Sequence, residues 1–412
     1  MKNKARLRLA DYFGYEATSA FSATIFLYCV FFWTKARFGF SDAQNLLLTA
    51  LHGLIYIVAA RYGGRLSDRL GYDRVLLIGA AGMGLTLLAG RFFGGWVAPF
   101  LVVACYTVFI GPTWPALEAA ILHTPGKATM PNRLGLYNVT WALGDALGFF
   151  AAGLLFEWSP DSILWVPGLV HLVQLAWVRW ASARGEGAGE PAMEIEHSGD
   201  DIPRAEKRRF MHVAWLGNGL GYLMIAVFIA LAPHLRERLG WPAHWTIWLS
   251  CAMLFTRTIG FVLFWKWERW HYRMSWLQAS LWIAPVSLAV AFFADHAWVI
   301  FGALAWFGLA LALSYSASIY YSLDYGEHKG DSGGAHEAVL GVGVFVGPLI
   351  ASGAAAWGGA TAAQVTTILL ALGANVVGLA IIARLAQKGQ SSQGIGFAHG
   401  DHGGQSEASS KH

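Results

Sequence analysis

Twelve apolar runs constrain this chain more than any other feature, because each approaches the roughly 17 to 25 residues that a helix needs to cross hydrocarbon. Inside a bilayer the backbone must satisfy its own hydrogen bonds within each segment, so runs of this length become helices. In rough limits they are Tyr12 to Trp33, Asn45 to Ala60, Val75 to Phe93, Val97 to Ile121, Asn132 to Trp158, Ile163 to Trp180, Phe210 to Leu231, Trp245 to Trp265, Trp276 to Phe293, Trp298 to Leu323, Ala335 to Trp357 and Ala362 to Leu385. Composition agrees: 56% of the 412 residues are hydrophobic and only 13% charged, against about 25% charged in a soluble domain. The chain reads as an all-α integral membrane protein with the lipid bilayer as its solvent. Cys29, Cys105 and Cys251 all lie in apolar runs without redox or metal spacing, as small buried hydrophobes do. Met1 to Ala10 carries cationic residues but leads into a full-length run with no cleavage site, so the first helix is expected to be retained.

Charge placement sets the expected orientation. Of the 29 Lys and Arg, only Lys35, Arg37, Arg91, Arg236 and Arg238 fall at loops on the second side, and Arg257 alone lies deep inside a run. Cytoplasmic loops retain Lys and Arg, so both termini are expected in the cytoplasm of a cell whose inner membrane holds the protein. The same clustering argues against nucleic acid as the partner of the +4 formal charge. Between the sixth and seventh runs the chain turns to Gly, Glu, Asp and Pro and ends in Arg204, Lys207, Arg208 and Arg209. The expected domains are therefore a six-helix half over 1–182, a cytoplasmic linker over 183–209, a second half over 210–388 and a disordered tail over 389–412. His399, His402 and His412 in that tail read as solvated rather than metal-binding.

Gly63 to Leu77 packs five charges between two apolar runs and reads as a loop joining the second and third helices. Gly64, Asp68, Arg69, Gly71 and Arg74 within it stand at the spacing of the signature loop of the major facilitator superfamily, which the chain therefore resembles. Tyr72 and Asp73 depart from a pattern that is usually basic there. An internal repeat accompanies the motif. Gly135, Gly144 and Gly148 recur as Gly334, Gly343 and Gly347 at an offset of 199 residues, and Asp68-Arg69 recurs as Glu268-Arg269 at an offset of 200. Two parallel halves, two pseudo-symmetric six-helix bundles, follow. The glycines also resemble the helix-five motif of the family's proton-linked antiporters, but that motif's proline is kept only in the second half, as Pro348. Close helix packing in lipid asks for small residues at the same spacing.

Polar groups deep in the runs are the site candidates, since an ionised side chain at mid-membrane costs roughly 2.5 to 3.5 kcal/mol on insertion scales. Asp145 and Arg257 each lie about 13 residues inside their runs, or roughly 20 Å along a helix. Glu118 follows Pro112 and Pro115, which bend a helix and free its carbonyls; it is either a proton or substrate site or an interfacial carboxylate, and Glu16 poses the same choice. Asn218, Tyr315, His171 and Asn375 are ambiguous from the residues alone; the resemblance implies that helices seven and ten line the cavity and so favours Asn218 and Tyr315. Glu337, after His336, opens its helix, where complementing the helix N-terminus explains a carboxylate as well as a functional role does, and Tyr320 and Tyr321 read as interfacial residues. The resemblance further implies that Asp68 caps the start of helix eleven near Gly333 and Gly334, that Glu268 does so near Asn132 and Arg133, and that helices five and eight adjoin. Asp145 and Arg257 are then expected to pair across the halves, unless Asp145 meets a wet cavity or Arg257 an anionic substrate.

No nucleotide, zinc-protease or hydrolase motif is present, so neither an enzyme nor a cofactor is expected. The leading reading is a monomeric secondary transporter that moves a small-molecule solute by alternating access, driven by protons and serving drug or metabolite efflux. A sensor or assembly factor on the same scaffold is the alternative. A metal exporter would require a mid-membrane cluster of His and acidic residues, which the sequence does not display, so no metal is expected.

Overall fold

Each apolar run folds as a helix because nothing in lipid can replace an intra-segment backbone hydrogen bond. The computed structural model describes residues 7–124, 130–184, 202–326 and 329–398, and among them the chain is helical almost throughout, with no strand. The first half comprises α1 (Leu9–Phe38), α2 (Asp42–Leu70), α3 (Tyr72–Gly90), α4 (Ala98–Leu122), α5 (Met130–Trp158) and α6 (Ser162–Arg184). The second comprises α7 (Arg204–Ala230), α8 (Ala243–Lys266), α9 (Met274–Phe293) and α10 (Ala297–Tyr325). A continuous stretch from Lys329 to Ala398 then folds back at Gly358 and Gly359 into α11 (329–357) and α12 (360–398). A short helix, Ala232–Leu239, links α7 to α8, and a 3₁₀ turn, Glu268–Trp270, links α8 to α9. The structure thus carries the twelve spans expected. Because their number is even, Leu9 and the helix ends flanking the linker share one face, here termed the terminal face; the opposite one is the distal face. Residues 185–201 and 399–412, most of the expected linker and tail with its three histidines, lie outside the described residues.

The charged segment after the second run is not a loop. Helix α2 continues through Gly64 and Arg65 to Leu70, and only Gly71 breaks it, at φ 91°, with its N–H on the Ser67 carbonyl. A single glycine in that region turns the chain without the penalty that a Cβ would carry. Asp73 accepts a 2.6 Å hydrogen bond from the Tyr12 hydroxyl, which gives an acidic residue a role where the family pattern is basic. Helix α4 is interrupted at Gly111 and Pro112 into Ala98–Ile110 and Thr113–His123. Gly63 of α2 passes so close to that point that a Cβ would stand 2.4 Å from Pro112 Cα.

The repeated glycines are contact points between helices. On α5, Cβ atoms at Gly144 and Gly148 would lie 2.5 Å from the Ala17 carbonyl oxygen and 2.3 Å from that of Phe21, both on α1. On α11, atoms at Gly343 and Gly347 would lie 2.2 Å from the Gly219 oxygen and 2.3 Å from Leu223 Cγ, both on α7. Gly135 admits the Trp265 ring of α8 at 2.2 Å, and Gly334 faces Arg61 of α2 at 3.8 Å. One pattern therefore serves both halves: its inner pair seats α5 on α1 and α11 on α7, and its outer member meets the other half. The halves join along two seams, α5 with α8 and α2 with α11.

Candidate functional site

A central cavity of about 180 Å³ lies between the halves. Aromatic side chains surround it, with Tyr28, Tyr56, Trp141, Tyr222 and Tyr315 coming from α1, α2, α5, α7 and α10, while Asp145 and Glu337 bring carboxyl groups to its wall. Cross-half contacts close it on both faces. On the distal side Lys35 Nζ meets Glu237 Oε1 at 2.8 Å, Glu157 pairs with His244, and Ser352 Oγ donates to the Ala43 carbonyl at 2.8 Å. On the terminal side Trp265 Nε1 donates to Asn132 Oδ1 at 3.0 Å and the Tyr56 hydroxyl donates to Glu337.

Two polar centres stand at this cavity. In the first, Arg257 Nη2 donates to Asp145 Oδ2 at 2.7 Å, and Thr24 Oγ1 donates to Asp145 Oδ1 at 2.5 Å. Both charged residues are buried, Asp145 with 9% and Arg257 with 2% of its surface exposed. The guanidinium lies 4.6 Å from the Trp141 ring centre, a cation–π contact that fills space behind the pair. The structure thus brings together Asp145 of one half and Arg257 of the other, and Asp145 also faces the cavity.

The second centre joins α4 and α11. Glu118 and Glu337 each bring a carboxyl oxygen within 4.8 Å of the other, and the Tyr137 hydroxyl approaches Glu118 Oε1 at 3.4 Å. His336 is fully buried; its Nδ1 lies 2.8 Å from Ser318 Oγ, which also accepts from Asn218 Nδ2 at 3.3 Å. Glu16 is also fully buried, and neither of its oxygens has a hydrogen-bond partner. Glu118, His336 and Glu337 each offer one ligand atom within 4.8 Å of the others. The sequence led us to expect no such cluster, and it left Glu337 between a helix-opening carboxylate and a functional one. The first expectation is corrected because the fold carries His336 and Glu337 inward against Glu118 of the other half. A signal was available: the 199-residue offset aligns them with Tyr137 and Asn138, well inside α5.

A family model described as Major Facilitator Superfamily matches residues 12–348. The chain belongs to the major facilitator superfamily. A search of curated protein sequences finds no match. Among solved structures, it is similar to a mutant form of the nucleoside transporter NupG, with a TM-score of 0.68 at 12% identity over 91% of this chain and 99% of that one. Unmutated NupG gives 0.66 at 13% identity, covering 91% and 98%. The human organic anion transporter MFSD10 (TETRAN) gives 0.65 at 14% identity, again covering 91% and 98%. At such identities the likeness is one of fold.

Superfamily signature residues occupy the terminal face: Gly64 is buried in α2, while Asp68, Arg69 and Arg74 are exposed around the Gly71 turn. The side chains nearest the Cβ positions of Gly333 and Gly334 are Glu118 and Arg61. Glu268 and Arg269 lie exposed on the 3₁₀ turn, with Glu268 lining a small cavity beside Pro131, Leu134 and Gly135. Arg133 donates to the Ile121 carbonyl at 2.6 Å and to that of Thr124, thereby tying α5 to the end of α4. Tyr315 reaches the cavity, whereas Asn218 acts one bond back, through Ser318. His171 is held between Tyr106 and Gln174, and Asn375 donates to the Leu281 carbonyl at 2.5 Å, both within one half. Tyr320 and Tyr321 are buried against Trp270, His271 and Tyr272 instead of forming an interfacial belt.

Proposed function

We propose that the chain is a proton-driven secondary transporter of a small organic solute, working by rocking its halves about the central cavity. The observation that carries this reading is the Asp145–Arg257 pair, a buried ionic link between halves whose acidic member also faces the solute space. Separation of the halves would free a carboxylate that Arg257 had paired, so that it can take a proton on one side and surrender it when the pair re-forms. Thr24 positions that carboxylate from α1.

The aromatic lining and a volume of about 180 Å³ favour a solute of one or two rings, since a dry cavity of about 150 Å³ holds benzene. Tyrosine hydroxyls around the rim would orient its polar groups. We further place the protein in the cell's inner membrane as a monomer, with the basic terminal face in the cytoplasm, and assign efflux as the direction.

The test is solute flux in vesicles reconstituted with the purified protein, using candidates first found by their stabilisation of the protein against heat. Flux should fall when a protonophore collapses the proton gradient. A confirmed substrate whose flux ignores the protonophore would sink the proton coupling.

A further inference from the structure

We propose that Glu118, His336 and Glu337 form a site for a divalent transition-metal cation of the zinc type, which bridges the halves and holds the terminal face closed. All three residues are buried, at 6%, 0% and 3% exposure. A zinc ion holds nitrogen and oxygen ligands tetrahedrally at about 2.0 to 2.2 Å, which places ligand atoms roughly 3.3 to 3.6 Å from one another. The three ligand atoms here already lie within 4.8 Å of each other, so side-chain shifts of about 1 Å would close the shell. Two carboxylates balance a double positive charge and leave the imidazole neutral, a combination that relieves the burial of unpaired charge. Imidazole with carboxylate is also a ligand set that zinc accepts.

The independent sign is His336 Nε2, a buried ring nitrogen without a hydrogen-bond partner. With its proton on Nδ1, bonded to Ser318 Oγ at 2.8 Å, the ring presents a lone pair at Nε2. Metal-bound histidines are oriented in this way by a partner on the second nitrogen. Asn218 in turn steadies Ser318, and Tyr56 steadies Glu337. Glu337 borders the central cavity, which provides an entry path. Because Glu118 belongs to the first half and the other two to the second, the ion binds only where the halves meet. Metal binding of this kind is independent of which solute is carried.

Zinc titrated into the purified full chain, with His399, His402 and His412 changed to alanine, should bind at one equivalent in calorimetry and raise the unfolding temperature. Glu118→Gln and His336→Ala should each weaken binding by at least about 10- to 100-fold, the loss that removal of an outer-shell partner alone causes. Where a variant does not fold, zinc-edge X-ray absorption on the parent decides: one imidazole with oxygen ligands is expected. Hydrogen exchange at the end of α4 and the start of α11 should slow when zinc is added. Absence of saturable binding, binding indifferent to both substitutions, a shell with two or more imidazoles, or exchange unchanged by zinc would overturn the proposal.

Discussion

Asp145 has two partners, Thr24 and Arg257, and only the second carries charge. Removing one member of a buried ion pair leaves an uncompensated charge, which costs roughly 3 to 5 kcal/mol. We therefore expect Asp145→Ala and Arg257→Ala each to lower the unfolding temperature and abolish flux, and the exchange Asp145→Arg with Arg257→Asp to recover the temperature. An exchanged protein no more stable than either single variant would show that the pair does not act as a unit. The two residues were legible in the sequence because a charge deep in an apolar run is rare and needs a reason. The second centre was not, because Glu118 and Glu337 meet through α4 and α11, and nothing local marks a carboxylate near a helix start as inward-facing. Thr24 and Ser318 give no sequence signal, since hydroxyls commonly bond to their own helix backbone.

At the scale of helices, close approach and aromatic packing yield two further predictions. Gly148→Ala and Gly343→Ala drive a methyl group into backbone oxygen at 2.3 and 2.2 Å and should each destabilise by about 1 to 3 kcal/mol, measured by thermal unfolding. Gly353→Ala on α11 meets nothing within 4 Å and should be tolerated. Equal effects at all three positions would remove packing as the purpose of the pattern. In the turn between α8 and α9, His271 stacks on Tyr320 with ring centres 4.1 Å apart, and burial pushes its pKa down to about 4 although Asp324 attracts the protonated form. The unfolded chain takes up this proton below about 6.5, the folded one only near 4. The residue's contribution is thus whole above 6.5 and lost as pH falls toward 4. His271→Phe, which keeps the stacking, should flatten that part of the stability profile; an unchanged profile would refute the assignment. The runs themselves were plain from hydropathy, but the Gly71 turn and the burial of Tyr320 and Tyr321 depend on neighbours that hydropathy does not record.

For the whole molecule, the distal contacts set how readily the cavity opens. Lys35 and Glu237 are partly exposed, so their pair is worth about 0.2 to 1 kcal/mol, a shift in population of at most roughly fivefold. Glu237→Lys should raise labelling of a cysteine placed at Thr49 on the cavity wall by a membrane-impermeant reagent, and adding Lys35→Glu should reverse it. Labelling that does not respond would mean the other distal contacts suffice. The halves themselves followed from the glycine register, whereas the seams between them did not, because a repeat fixes what each half contains and not how two copies face; that α5 adjoins α8 was expected from the family resemblance alone. The glycine seats have a mechanical consequence. With α5 set on α1 at the Ala17 and Phe21 backbone oxygens, and α11 set on α7 at that of Gly219, little side-chain bulk stands at these crossings to act as a cushion. A tilt begun at the distal rim reaches Asp145, one residue beyond Gly144, as a lever delivers it, undiminished by bending along the way.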